Sequence, residues 1–488
     1  MRELGIAQRT PLLVQPDASR VVARLFVPGQ DLLGGSESRT QSTVARVMDL
    51  TDEQVDAALE SLYQRFTTRH ADIRASFQVN YERVADYVRG PLRPARQQLL
   101  GATFTNELSL EGSAICNPSL VASAHQGGLA PGQRRVTMSY RAISEGHRSC
   151  IVFREGVISV GGALALEPPA PFPLLGEVQP APMQRDHVRA LLRDGHADGD
   201  TAEAVLATLA NTFSGTELNE ALVRLETQRD TRPNASATAR VMRSLAAGFY
   251  HSTFPIESAL GQRVLWPSAP HEQHGMEDAR FVRLVEGEGS RYVATYTAYD
   301  GVVVAQQLLE TDDFLTFTSS PLAGLASRNK GLAIFPRRVD GHYVALSRHD
   351  RESNAVAVTD DLHRWDEAVT LVSPQQDWEM LQLGNCGAPL ELPEGWLVLT
   401  HGVGPMRTYG IGALLLDLHD PTKILARLGR PLLLPNDEEQ NGYVPNVVYS
   451  CGAMIHDDTL CLPYGVGDQS IRYATVALEA LRAALDDV

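Results

Sequence analysis

From Thr51 to His70 the chain sets apolar residues three and four apart, at Val55, Leu59, Leu62 and Phe66, with polar or charged residues between them. That spacing returns side chains to one face of a helix. Thr51 ahead of the run and Gln54 three residues on predict a capping box at its start. The next stretch, "ADIRASFQVNYERVADYV", continues the period. Residues 1–105 are therefore expected to form a helical extension, whose simplest role is packing or self-association.

Near residue 113 the pattern shortens to strand-like runs, "RRVTMSYRAI" and then "SCIVFREGVISVGGALAL". Helical spacing returns over 183–250 in "RDHVRALLRDG", "TAEAVLATLANTF" and "TELNEALVRLETQ". Beyond Gly248 strands and turns run almost to the end, where "VALEALRAALDDV" predicts a short helix. The strand-rich half repeats itself. "RYVATYTAYDG", "HYVALSRHD", "GWLVLTHGVGP" and "TLCLPYGVGDQ" are alike, at spacings of roughly fifty to sixty residues, a period that points to propeller blades. "TDDFLTF" and "TDDLHRW" match within two of the units. Four units follow residue 270 and the strands at 113–165 add one. The expectation is a mainly β chain: a five-bladed β-propeller with an N-terminal helical extension (1–105), a first blade (106–182), a helical insertion (183–250) and the remaining blades with a short C-terminal helix (251–488).

Composition narrows the partners. The formal net charge of −16 argues against nucleic acid, whose phosphates demand a basic surface. The five cysteines are scattered with no C-x-x-C pair, so neither a zinc site nor a disulfide framework is indicated. The first twenty residues carry no apolar leader, and no run is long enough to span a bilayer. A cytoplasmic protein without nucleic-acid or membrane partners is expected, its helical segments available for building a homo-oligomer.

Charged and polar groups recur beside the first strand of each unit: Asn117 and Arg141, then Glu277, Asp278 and Arg280, then Lys330 and Arg348, then His401, then Asp468. In a propeller such positions converge on one pocket. At these residues the chain resembles glycoside hydrolase family 130, the mannoside phosphorylases and related β-mannosidases. "GMEDARFV" followed by "YTAYDG", "NKGLAIFPRRVDGHYVALSR", "GNCGAPLELPEGWLVLTHGVG" and "GYVPNVVYSCGAMIHDDTLCLPYGVGD" carry the likeness in the family's order, over about 113–165 and 265–485. The two helical segments lie outside it.

The resemblance implies inverting phosphorolysis of a β-linked mannoside. Asp278 would be the proton donor, acting through a hydroxyl of the bound mannose, and phosphate the nucleophile, giving α-mannose 1-phosphate and a shortened sugar. Lys330, Arg348 and Arg141 would hold the phosphate. Asn117, Arg141, Glu277, Arg280, Tyr299, Asp300, His401, Tyr443 and Asp468 would line the sugar site. Inorganic phosphate is the co-substrate, with no cofactor and no metal. Adjacent Glu277 and an enclosed pocket would raise the Asp278 pKa, and a close Arg280 would lower it.

Ser347 stands where many phosphorylases have a histidine, which keeps a second reading open: a β-mannosidase, with Asp350 or Glu352 as base and His349 as the competing substitute for the lost histidine. A third reading is a non-catalytic carbohydrate-binding propeller.

Overall fold

The computed structural model describes residues 2–27, 39–227 and 234–487. The chain divides into two compact units, one of residues 17–112 with 170–174, the other comprising 1–16, 113–169 and 175–488. In the smaller unit the helices Arg39–Met48, Asp52–Phe66, Ile73–Glu82 and Pro94–Thr103 accompany an antiparallel strand pair, Val21–Leu25 with Thr105–Ser109. The capping box forms as the sequence predicts: Gln54 N–H donates to Thr51 Oγ1 (3.3 Å) and Thr51 N–H to Gln54 Oε1 (2.8 Å). Val55 and Leu59 are buried with Val44, Leu100 and Phe104.

The larger unit is mainly β. Its strands group into five antiparallel stacks. The first is Ala114–Ala122, Arg134–Ile143 and Ser149–Ile158. The second, Gly275–Glu286, Gly289–Tyr299, Val304–Thr311 and Thr316–Pro321, joins the first through a single parallel pair, Gly275 with Ser149. The third is Ala333–Ile334, Tyr343–Ser347, Asn354–Thr359 and Ala368–Val372. The fourth is Gln382–Asn385, Gly395–Val403, Tyr409–Leu416 and Ile424–Leu428. The fifth is Val448–Tyr449, Thr459–Val466 and Ser470–Ala477. Among the described residues no sheet closes on itself.

Apolar faces pack in sequence. Phe153 of the first stack meets Phe281 and Phe317 of the second. Leu284 of the second shares a cluster with Ile334 and Trp365 of the third, and Phe335 and Val356 of the third with Trp396 and Val398 of the fourth. Leu397 and Ile411 of the fourth cluster with Leu462 and Tyr464 of the fifth. The fifth meets the first through backbone hydrogen bonds, Cys451 N–H to Pro118 O (2.8 Å) and Ile115 N–H to Gln469 O (3.2 Å).

The helices Arg185–Asp194, Asp200–Leu206, Gly215–Thr227 and Ala235–Ala246 bury their own apolar cluster, centred on Leu192, Leu206, Leu222 and Met242.

Three boundaries differ from the sequence reading. Gln8–Val14 is a strand paired antiparallel with Ser470–Ala477, so the chain's start extends the fifth stack rather than the helical segment. Glu177–Pro180 pairs with Tyr250–Thr253 on the outer edge of the second stack, not with the first. Only Leu478–Ala484 of the C-terminal run is helical, and Leu485–Asp487 pairs with the fourth stack. All three are pairings between segments remote in sequence, which local periodicity does not register. No helix among the described residues is long and apolar enough to cross a membrane.

Candidate active site

Two strands are broken at matching places. The register of Ala114–Ala122 against its neighbour shifts between Cys116 and Ser119, and that of Gly275–Glu286 shifts between Glu277 and Arg280. Asn117 and Asp278 sit inside these bulges with φ of 55° each. Left-handed backbone at a non-glycine residue costs about 1–3 kcal/mol and persists where surroundings over-determine it; Asn and Asp tolerate it best. Each bulge re-aims its side chain, and the two meet: Asn117 Nδ2 donates to Asp278 Oδ1 at 2.5 Å. Asp468 (φ 48°) follows Gly467 (φ 58°) at the tip of the hairpin between Thr459–Val466 and Ser470–Ala477. Two successive positive φ values form the tight turn that such a hairpin favours.

These three residues line a cavity of ≈ 180 Å³ together with Arg141, Lys330, Arg348, Gln382, His401, Arg407, Tyr409, Val447 and Tyr449. All five stacks contribute to it. A larger cavity, ≈ 730 Å³, lies beside the helical insertion, but its walls are mostly apolar and Arg243 is their only charged side chain among the described residues.

The electrostatics of the smaller cavity follow from its cations. Arg280 is 2% exposed. It donates to Cys386 O (2.9 Å), Asp278 O (2.8 Å) and the Tyr449 hydroxyl (2.8 Å), and its Nη2 lies 3.8 Å from Asp278 Oδ2. Burial opposes charge on Asp278, yet Arg280, Lys330, Arg141 and Arg348 together hold its pKa below the ordinary carboxylate value. Of the two opposing shifts the sequence leaves open, the lowering one prevails, because Arg280 is close. Asp468 behaves oppositely. Burial, reinforced by Asp278 and Glu277 against the pull of Arg141 and Arg407, lifts it to about 6.

His401 is buried at 1% exposure. Arg348 Nη1 lies 2.9 Å from its Nε2 and can only donate, so Nε2 accepts and Nδ1–H donates to Asn385 O (3.2 Å). Burial, with Arg348 and Arg280 nearby, drives the His401 pKa well below its ordinary value and keeps the ring neutral. Its polar atoms therefore hold Arg348.

Glu277 does not line the cavity. It binds Arg141 Nη2 (2.7 Å) and Lys330 Nζ (2.5 Å) from behind. Tyr299 and Asp300 also lie outside the lining. The Tyr299 hydroxyl donates to Gly301 O, and Asp300 Oδ1 accepts from Val302 and Val303 N–H in closing a turn. Tyr443 is half exposed and bonded to His147 Nδ1 (2.7 Å). Ser347 is buried, donating to Ala326 O. Asp350 Oδ1 accepts from Glu352 and Ser353 N–H, and neither Asp350, Glu352 nor His349 lines the cavity.

Gln382, Arg407, Tyr409 and Tyr449 are lining residues that the sequence reading missed. Arg407 carried one available signal, the "GPMRTYG" turn linking two strands; its φ is 54°.

The sequence profile of glycoside hydrolase family 130, described as beta-1,4-mannooligosaccharide phosphorylase, matches residues 237–486. A 1,2-beta-oligomannan phosphorylase of Thermoanaerobacter sp. (strain X514) is 30% identical over 46% of this chain and 75% of its own length. A beta-1,2-mannobiose phosphorylase of Listeria innocua is 34% identical over 42% of this chain and 59% of its own length. The structure of beta-1,2-mannobiose phosphorylase from Listeria innocua superposes with a TM-score of 0.44 and 22% identity, covering 78% of this chain and 93% of that one. By the extent of the profile match and the identity to its relatives, the chain belongs to glycoside hydrolase family 130.

Proposed function

We propose that the protein is an inverting β-mannoside phosphorylase, and that its five stacks are the blades of a propeller whose inner ends frame the cavity. The order of packing supports the blade reading: first on second, on through to the fifth, with the fifth hydrogen-bonded back to the first. One observation carries the activity. Arg141, Lys330, Arg348 and Arg407 line the cavity with Arg280 behind them, against Asp278, Asp468 and Glu277. Such a surplus of cations suits a phosphate dianion better than a neutral water. The hydrolytic alternative has less support, because Asp350 is occupied in its own loop and Glu352 lies outside the cavity.

In the proposed reaction a phosphate oxygen attacks the anomeric carbon opposite the leaving group. The new C1–O bond forms as the glycosidic C1–O bond breaks. The departing oxygen takes a proton that originates on Asp278 and passes through a mannose hydroxyl. Asp278 must therefore gain a proton in the complex, although its neighbouring cations favour the ionised form. Phosphate supplies the means: its negative charge offsets Lys330, Arg141 and Arg348 and so lifts the carboxyl. Proton donation is thereby tied to the presence of the nucleophile.

The experiment is product analysis on β-1,2- and β-1,4-linked mannobiose with and without phosphate, followed by ³¹P and ¹H NMR. Mannose 1-phosphate of α configuration, formed only with phosphate, is the expected result. Free mannose released at equal rates in both conditions would replace this reading with hydrolysis. Asp278→Asn should lose turnover by about 10²–10⁴-fold, the usual worth of a positioned general acid, while mannoside binding persists.

A further inference from the structure

Glu277 and Asp278 are consecutive in a strand, where neighbours ordinarily point to opposite faces. The bulge between Glu277 and Arg280 breaks that alternation, so both carboxylates serve one site. Their settings differ. Asp278 lines the cavity, whereas Glu277 is 5% exposed, outside the lining, with each oxygen engaged by a different cation. Arg141 Nη2 donates to Oε1 at 2.7 Å and Lys330 Nζ to Oε2 at 2.5 Å. Arg141 comes from the first stack and Lys330 from the segment entering the third; Glu277 stands on the second, between them.

A buried carboxylate is tolerated when paired charges and hydrogen bonds satisfy it, and two cations do so here. The bonds leave the cations with donors to spare, since a guanidinium has five N–H groups and an ammonium three. Arg141 Nε is buried with no hydrogen-bond partner. Lys330 has a flexible stem and its side chain is 34% exposed, so without Glu277 its ammonium would spread over several positions.

We infer that Glu277 is a positioning residue for phosphate, spanning Arg141 and Lys330 and fixing the gap between them, rather than a ligand of the sugar. The inference rests on the phosphorolysis reading. It is testable because charge and geometry predict opposite signs. Glu277→Gln removes a negative charge, so electrostatics alone would tighten phosphate binding. The amide keeps the size but presents an acceptor to only one of the two cations, and the pair loses its spacing. The KM for phosphate, and for mannose 1-phosphate in the synthetic direction, should rise about tenfold to a hundredfold, the scale of a displaced reacting group. The KM for the mannoside should stay unchanged.

Glu277→Asp keeps the charge but is too short to reach both cations, so it should shift phosphate in the same direction; it also serves if Glu277→Gln fails to fold. In a Lys330→Met background the Glu277→Gln effect should shrink, because the span has already lost one end. Calorimetric titration with inorganic phosphate reads the same shift without turnover. A phosphate KM equal to or below wild type in both Glu277 variants would overturn the inference, as would a rise confined to the mannoside KM. A wild-type enzyme that needs no phosphate would overturn the phosphorolysis reading and this inference with it. A phosphate-dependent wild type with unshifted variants would sink the inference alone.

Discussion

Asp278 and Asp468 face one cavity, yet Arg280 and its fellow cations pull the first carboxyl down while burial pushes the second up to about 6. The Asp468 shift has a consequence for stability. Its folded pKa lies above the unfolded value, so its contribution is fully present below the unfolded pKa, near 4, and is lost as pH rises through about 6. At pH 7 the ionised side chain costs the fold up to about 3 kcal/mol. Asp468→Asn should therefore unfold at higher denaturant concentration than wild type at pH 7 and show no such gain at pH 4. Asparagine accepts the positive φ at this turn, so no backbone penalty offsets the gain. Equal midpoints for the two proteins at pH 7 would show that the carboxyl is not strained there. The types of these residues were legible in the sequence; their settings were not. An Asp-Ala-Arg run does not reveal that the Arg280 guanidinium turns back on the Asp278 backbone carbonyl, nor does "LTHGVG" reveal that His401 spends both ring nitrogens holding Arg348 and Asn385 O.

At the scale of elements, the repeats located the strands, but close approach between strands decides which residues they can carry. Gly384 lies directly opposite His401 in the antiparallel pair Gln382–Asn385 with Gly395–Val403. A Cβ at Gly384 would fall 2.5 Å from His401 Cε1 and 2.8 Å from Arg348 Cδ. Glycine is needed there to seat the imidazole that anchors Arg348. Gly384→Ala should destabilise by about 1–3 kcal/mol, the usual cost of overpacking, and should raise the phosphate KM by displacing Arg348. Thermal unfolding and steady-state kinetics on the one variant separate the two effects. A stability loss with unchanged phosphate KM would mean that Arg348 is not held by this contact. "QLGNCG" shows a glycine but not its neighbour, because register across a sheet is set by pairing rather than by local pattern. The same limit hid the bulges. Asn117-Pro118 and Asp278-Ala279 read as strand residues until pairing exposes the residue left over in each.

For the molecule as a whole, the informative pairing is one between segments far apart in the sequence. Gln8–Val14 completes the fifth stack by pairing with Ser470–Ala477, an association across most of the chain that no periodicity within the first 105 residues predicts. Its anchor is Arg9, which donates to Leu434 O (2.6 Å) and to both Glu3 oxygens and faces Glu439 at 3.2 Å. The Glu439 side chain is fully buried, and its other partners are neutral: the Tyr464 hydroxyl at 2.7 Å and Asn436 N–H at 3.2 Å. Removing Arg9 leaves that charge without its cation, the circumstance in which breaking a buried pair costs about 3–5 kcal/mol. Arg9→Met should lower the unfolding free energy by that amount and loosen the closing strand. The unpaired edge of Ser470–Ala477 would then be open to other chains and should promote aggregation. Adding Glu439→Gln removes the stranded charge, so the double variant should be more stable than Arg9→Met alone. Denaturant unfolding of the four proteins of this cycle measures the coupling directly. A double variant whose loss equals the sum of the single losses would show that the strand is held by its backbone ladder and apolar contacts, with the Arg9–Glu439 pair adding nothing to closure.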